Sequence, residues 1–167
     1  MTTRLTVEDL LSLEAIKRVK YAYLRCLDQK CWDDLREVFT ADATASYGGG
    51  NHVFDSRDEI LAFLSDALGS ERHLTTHRVH QPEIDLVGTD QASGVWAFDD
   101  VVIMEDLEIT VRGAGFYTDT YVRTDDGWRI SSTGYKRTYE EIQPRGTVEG
   151  LRLTASWWGT GGRSSLG

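Results

Sequence analysis

Four long segments separated by turn signals fill residues 73–139, and they constrain the fold more than any other feature of the chain. The breaks between them fall at residues 88–90, 105–106 and 124–127, and the last break contains Asp126-Gly127, a strong hairpin signal. Consecutive strands joined by short turns pair most simply as an antiparallel meander. The pattern therefore predicts one sheet with strands at 73–87, 91–104, 108–123 and 128–139.

A helical pattern precedes these strands. Between Val7 and Leu27, apolar side chains recur at spacings of three and four residues, which is typical of one buried face of a helix. Thr6 and Asp9 are placed as a capping box at its start. The sequence therefore predicts a long amphipathic helix at the beginning of the fold.

Two shorter helices and a strand are predicted between the opening helix and the meander. Residues 33–39 begin with acidic side chains, which suit the positive end of a helix, and residues 41–47 form a short strand pattern. Ser56 is placed to cap a third helix at residues 57–68. Helices followed by a meander predict an α+β fold, in which a curved, mostly antiparallel sheet wraps around the N-terminal helices and encloses a cavity. Gly113 and Gly115 lie where such a sheet would have to bend.

Length and composition favour a single domain over residues 1–167, with a core at about 5–140 and a C-terminal extension at 141–167. The net charge of −9 argues against nucleic acid and against an anionic membrane as partners, because both attract clustered Lys and Arg. No apolar run approaches the roughly 20 residues of a membrane span, and no signal peptide is recognisable. We therefore expect a cytoplasmic protein whose Cys26 and Cys31 are reduced thiols.

Several short motifs along the chain carry a resemblance to a known family. They are Tyr23 and Asp28 followed by Trp32-Asp33-Asp34-Leu35, then Phe39-Thr40-Ala41-Asp42-Ala43, Thr76-His77 with Pro82 and Ile84, Gly115-Phe116-Tyr117-Thr118-Asp119, and Asp126-Gly127-Trp128-Arg129-Ile130. Over roughly residues 5 to 140, the chain resembles the nuclear transport factor 2-like superfamily, in particular its SnoaL-like branch. That branch is similar to scytalone dehydratase, bile-acid 7α-dehydratase and hexachlorocyclohexane dehydrochlorinase. The resemblance implies a cone-shaped α+β barrel and an enzyme without a cofactor.

The same resemblance implies a catalytic pair of Asp28 and His77. In the lyases of the family, an aspartate at the end of the first helix orients a histidine on the facing strand, and the histidine removes a proton. Imidazole titrates near neutral pH, and a carboxylate on its far nitrogen fixes the tautomer and stabilises the imidazolium. Taken alone, Asp28 could instead cap the next helix, and His77 could be an ordinary histidine of the sheet.

Other residues are candidates for the same site. Tyr23 is expected to donate a hydrogen bond to a carbonyl or a leaving hydroxyl group, as a tyrosine does in the related dehydratases, and Tyr47 could line the same cavity. Neighbouring residues of a strand face opposite sides, so only one of Asp99 and Asp100 points inward in a regular strand. Spacing favours Asp100, although a one-residue bulge would exchange the two.

The remaining candidates are expected to contact the substrate. By resemblance to the bile-acid dehydratase, Arg137 would hold a polar end of the ligand, although a salt bridge at the rim would also explain it. Trp96 and Tyr117 are further candidates for binding. We expect no metal, because His73 and His77 would share a face of their strand while His80 points away, and no carboxylate completes a metal-binding pattern.

The sequence therefore predicts a cofactor-independent lyase or isomerase that acts on a small hydrophobic cyclic molecule, such as a steroid, polyketide or terpenoid. The expected catalytic residues are Asp28, His77, Tyr23 and Asp100. One alternative is a polyketide cyclase or a ketosteroid isomerase-like enzyme that uses a carboxylate as its base. Another is a non-catalytic ligand carrier or assembly subunit. We expect a homo-oligomer, either a dimer or a trimer.

Overall fold

The computed structural model describes residues 5–166, which form three helices and six strands. The helices are α1 (Val7–Gln29), α2 (Trp32–Val38) and α3 (Arg57–Leu68), and the strands are β1 (Phe39–Tyr47), β2 (His52–Phe54), β3 (His73–Val87), β4 (Gln91–Met104), β5 (Ile109–Thr124) and β6 (Gly127–Pro144). A short 3-10 turn, Arg145–Thr147, follows β6. The predicted α+β class and the order of its elements are confirmed.

The six strands form one open, mixed sheet in the order β2-β1-β6-β5-β4-β3. The four long strands pair as the predicted antiparallel meander, whereas β1 runs parallel to β6. The register between β5 and β6 shifts between Ala114 and Gly115, at the expected bend. This irregularity lets long strands curve, so that their inner face can enclose a core.

The helices begin where their sequences supply caps. Thr6 and Asp9 form a reciprocal capping box at the start of α1, and the Ser56 hydroxyl accepts a hydrogen bond from the Glu59 backbone at the start of α3. Lys30 ends α1 in the left-handed conformation. The buried stripe of α1, which includes Ile16 and Leu27, lies against the concave face of the sheet. None of the helices in residues 5–166 is both long and apolar enough to cross a membrane.

The structure corrects three details of the sequence interpretation. The short strand β2, which begins at His52 and pairs with β1, is absent from the predicted elements. Strand β1 starts at Phe39, two residues earlier than expected, because Phe39 leaves α2 in extended conformation and is fully buried. Strand β6 continues to Pro144, since its last residues pair with the start of β5.

Candidate active site

A cavity of about 280 Å³ lies between the inner face of the sheet and helices α1 and α3. Most of its wall is apolar and consists of Leu27, Phe63, Leu64, Ala67, Leu68, Val102, Met104 and Val111. The polar part of the wall consists of Tyr23, Tyr47, His77, Asp100, Tyr117, Tyr135, Arg137 and Glu140. Small-molecule sites commonly combine a mostly apolar wall with a few converging polar groups.

Asp28 and His77 are in direct contact at the edge of this cavity. Oδ1 of Asp28 lies 2.7 Å from Nδ1 of His77, and Oδ2 accepts a hydrogen bond of 2.9 Å from the His77 backbone. The Thr75 hydroxyl donates a further hydrogen bond to Oδ1 at 2.8 Å. The Asp28 carboxylate therefore accepts a hydrogen bond from a backbone N–H of the edge strand β3 and also fixes the orientation of the His77 imidazole. Asp28 lies within α1 and does not cap α2, whose N-cap residue is Cys31 and has no side-chain capping bond.

The contact with Asp28 determines which nitrogen of His77 carries the proton. An ionised carboxylate only accepts hydrogen bonds, so Nδ1 is the donor, and Nε2 of the neutral ring holds a lone pair. Among the hydrogen bonds of residues 5–166, none engages Nε2 of His77. The ring lines the cavity, and its side chain is only 8% exposed. His77 is thus arranged as a base, although its catalytic role stays a prediction.

Four tyrosine side chains surround the cavity. The hydroxyl groups of Tyr23 and Tyr47 lie 3.2 Å apart within hydrogen-bond distance, and the Tyr117 and Tyr135 rings pack edge-on at 5.6 Å. Burial raises the pKa of each of these four phenols above its usual value. They therefore remain protonated at neutral pH and can donate hydrogen bonds to a carbonyl or hydroxyl oxygen of a ligand.

Asp100, rather than Asp99, faces the cavity. Asp100 is buried, and both of its oxygens accept hydrogen bonds from Arg137, at 2.9 and 2.8 Å. The Nε of Arg137 pairs at 2.8 Å with Glu140 at the rim. The hydrogen bond to Asp100 raises the pKa of Arg137. Asp99 points the other way and pairs with the exposed His80.

Trp96 does not line the cavity, so its predicted role in substrate binding is wrong. Its indole is fully buried, and Nε1 donates a hydrogen bond of 3.0 Å to the Tyr121 hydroxyl group. The Tyr121 hydroxyl in turn donates to Asp119 at 2.7 Å. Strand alternation places Trp96 on the inner face of the sheet, but in a part of the core that does not border the cavity.

A buried ion pair that was not predicted from the sequence lies next to the cavity-lining Tyr117. The ammonium of Lys20 lies 2.8 Å from Asp119, and neither side chain has any solvent exposure. The pair is poorly aligned as a hydrogen bond, so charge attraction dominates it. Burial lowers the pKa of Lys20, an effect that Asp119 opposes. The same ammonium sits 3.5 Å from the ring centre of Tyr117 and so supports a cavity-lining phenol.

Two other histidine–carboxylate pairs lie outside the cavity. His80 contacts Asp99 at 2.7 Å, and His73 contacts Asp106 at 2.9 Å. Neither histidine lines the cavity, so His77 differs from both in facing the ligand space. Within residues 5–166, no cluster of three or more His, Cys, Asp or Glu side chains is arranged to hold a metal ion.

The family model described as a SnoaL-like domain matches residues 8–134. This chain belongs to the SnoaL-like family. The match extends from the start of α1 to the first half of β6, and so includes Asp28, His77 and Asp100 but ends before Arg137 and Glu140. An uncharacterized protein of Mycobacterium tuberculosis H37Rv is 29% identical to this SnoaL-like protein over 126 residues, which are 75% of this chain and 85% of the relative.

Solved structures of other proteins share the fold of this SnoaL-like chain. A provisionally named scytalone dehydratase from Novosphingobium aromaticivorans superposes with a TM-score of 0.76 and 23% identity, over 82% of this chain and 91% of that one. Hexachlorocyclohexane dehydrochlorinase LinA-type3 from Novosphingobium barchaimii superposes with a TM-score of 0.75 and 18% identity, over 90% of this chain and 99% of that one. The predicted cone-shaped nuclear transport factor 2-like fold is thereby confirmed.

Proposed function

We propose that this protein is a cofactor-independent lyase that removes water from a small cyclic hydroxy-ketone, with His77 as the base. The observation that carries the proposal is the placement of His77, whose Nδ1 is held by Asp28 at 2.7 Å while its ring lines an apolar cavity. The names of the solved neighbours, a dehydratase and a dehydrochlorinase, also favour elimination chemistry. Isomerisation requires the same first step and differs only in where the proton returns.

In the proposed reaction, Nε2 of His77 takes a proton from the carbon next to the substrate carbonyl. The electron pair of the broken C–H bond forms a carbon–carbon double bond as the C–O bond of the hydroxyl group breaks. The His77 imidazolium returns its proton to the departing oxygen, which leaves as water. Protons and electrons balance, so the reaction consumes no other reagent. Asp28 stabilises the transient imidazolium.

The tyrosines supply the second half of the mechanism. Negative charge develops on the carbonyl oxygen as the proton leaves carbon, and the protonated phenols of Tyr23 and Tyr47 are placed to donate hydrogen bonds to it. Tyr117 lines the same space. The apolar wall excludes bulk water, which strengthens each of these contacts.

A carboxylate base is less favoured by the geometry. Asp100 is the inward acid of the pair, but both of its oxygens accept hydrogen bonds from Arg137. Because Arg137 engages both oxygens, neither is free to approach a C–H bond of a substrate. Asp99 points away from the cavity. These contacts favour His77 over either acid.

The test is turnover of a panel of cyclic hydroxy-ketones by the wild type, His77→Ala and Asp28→Asn. We expect each variant to lose activity by about 10²-fold or more. The matched control is His80→Ala, which removes a histidine of the same strand that has its own aspartate partner outside the cavity. It should keep full activity. Full turnover by His77→Ala would rule out a catalytic role for the pair of Asp28 and His77. If the wild type turned over none of the compounds, a ligand carrier would be favoured.

A further inference from the structure

The charged residues in the cavity wall indicate which ligands can enter it. The cavity wall contains one guanidinium, Arg137, and two carboxylates, Asp100 and Glu140. One positive and two negative charges leave a net charge of −1 for this cluster at neutral pH. The single cation of the wall is therefore more than neutralised by its neighbours.

The hydrogen bonds of Arg137 lead to the same conclusion. Its two terminal nitrogens each donate to Asp100, and its Nε pairs with Glu140. A bidentate pair with a carboxylate is among the strongest contacts that an arginine makes. A ligand carboxylate would have to displace one of these partners, and it would then lie beside the displaced negative charge.

We propose that Arg137, Asp100 and Glu140 form a charge filter that admits uncharged ring compounds to the cavity and rejects carboxylates. The proposal rests on the proposed function, since it specifies the substrate class of the same site. It narrows the expectation that Arg137 holds a polar end of the ligand, because that end would have to be uncharged. The phenols of Tyr23 and Tyr47 provide neutral donors for the hydroxyl and carbonyl groups of such a ligand.

Glu140 is the residue that makes the net charge of the cluster negative. Its side chain is 48% exposed at the rim, whereas the Asp100 side chain is 5% exposed and pairs with Arg137 from within. Replacing Glu140 with Gln removes one negative charge and keeps the size of the side chain. The cluster then has no net charge, while the amide oxygen of Gln can still accept a hydrogen bond from the Nε of Arg137.

The test is calorimetric binding of naphthalene carboxamide and naphthalene carboxylate, two probes of nearly equal shape that differ in charge. The wild type should bind the amide at least about tenfold more tightly, because like charges repel strongly near a protein interior. In Glu140→Gln, this preference should shrink by about threefold or more, since the screening of a half-exposed charge limits the effect. The control is Glu149→Gln, which removes an exposed acid outside the cavity wall and should leave the preference unchanged.

A second measurement needs no variant. Raising the salt concentration from about 20 mM to about 500 mM should narrow the preference of the wild type, because salt screens partly exposed charges. Tighter binding of the carboxylate, no measurable binding of the amide, or an unchanged preference in Glu140→Gln would each overturn the filter. Because binding is measured without turnover, the two proposals can be tested separately. The charge filter can be disproved while His77 proves catalytic, and a catalytic role of His77 can be disproved while the charge filter is supported.

Discussion

The guanidinium of Arg137 occupies the space that a side chain at Gly113 would fill. A Cβ at position 113 would overlap Nη1 of Arg137 and approach the Tyr139 carbonyl oxygen to 2.9 Å. Gly113 is the direct cross-strand partner of Asp100, so the missing side chain lets Arg137 reach across β5 to that carboxylate. Asp100 is in turn the cross-strand partner of His77. His77, Asp100 and Gly113 thus lie side by side on β3, β4 and β5, which brings the proposed base next to the charged cluster.

Replacing Gly113 with Ala should displace Arg137 and leave the Asp100 carboxylate buried without its partner. Breaking a buried ion pair in this way costs on the order of 3 kcal/mol of unfolding free energy. Urea unfolding measures the loss. The control is Gly146→Ala, whose new Cβ would meet its nearest neighbour, Glu108, at an ordinary contact distance of 3.6 Å. Equal stabilities for the two variants would contradict the proposed role of Gly113.

The buried pair of Lys20 and Asp119 predicts a strong dependence of stability on both partners. Replacing Lys20 with Met leaves the Asp119 carboxylate in the core without its cation, so we expect a loss of about 3–5 kcal/mol in unfolding free energy. Adding Asp119→Asn should restore part of that loss, because it removes the unpaired charge. Urea unfolding of both single variants and the double variant measures the coupling. The control is Lys17→Met on the same helix, where the lysine pairs with exposed Glu14 and should matter little.

The buried phenols predict a loss of stability at alkaline pH. Burial raises the pKa of Tyr23, Tyr47, Tyr117 and Tyr121 above the value of 10.0 for a free phenol. Below about pH 10 both states keep these protons, and stability does not depend on them. Above it, the unfolded chain releases protons that the folded chain retains, so the free energy of unfolding falls as pH rises.

Chemical unfolding at several alkaline pH values measures this slope. Each retained phenol proton contributes about 1.4 kcal/mol per pH unit. Tyr23→Phe should reduce the slope by about that amount, and the exposed control Tyr139→Phe should leave it unchanged. A wild-type stability that does not fall above pH 10 would contradict the burial of these hydroxyl groups.

The proposed mechanism also predicts the shape of the pH–rate profile. Turnover should fall at acidic pH, because protonated His77 cannot accept a proton from carbon. It should then stay level to about pH 10, since burial keeps the phenols of Tyr23 and Tyr47 protonated. Steady-state rates over the full pH range measure both limbs, with His80→Ala as the control for a histidine outside the site. A decline between neutral pH and pH 9 would contradict the assignment of the tyrosines as donors.

Much of the fold could be predicted from local sequence signals. The third helix was located at 57–68 from the Ser56 cap and its apolar face, and the structure gives the same bounds. The meander followed from turn signals between long strands. The parallel pairing of β1 with β6 was not predicted, because these strands are far apart in the chain and share no turn. The three-residue strand β2 is too short to show a period.

The candidate site was predicted in part. Asp28, His77, Tyr23, Tyr47 and Tyr117 were identified largely from motif positions. The structure places the last four in the cavity wall and Asp28 in contact with His77. Strand alternation shows on which face of the sheet a side chain lies, but not how far it lies from the cavity. For this reason Trp96 was placed in the binding site although it packs elsewhere in the core.

The Lys20–Asp119 pair did leave a signal in the sequence. Lys20 lies on the apolar stripe of α1, and Asp119 has the same strand parity as the buried Tyr117 and Tyr121. Two opposite charges at inward positions of facing elements predict a buried pair. Glu140 gave no such signal, because its place at the rim depends on how far β6 extends beside β5.

The central claim is that Asp28 holds His77 with an unprotonated Nε2 in the cavity, and ¹⁵N NMR of the histidine side chains tests it most directly. At alkaline pH, where imidazoles are neutral, the wild type should show His77 with its proton on Nδ1. Asp28→Asn should weaken this preference and give a mixture of tautomers, while His80 keeps its own signal. Finding the proton of His77 on Nε2 in the wild type would contradict the account, because that nitrogen could not then act as the base.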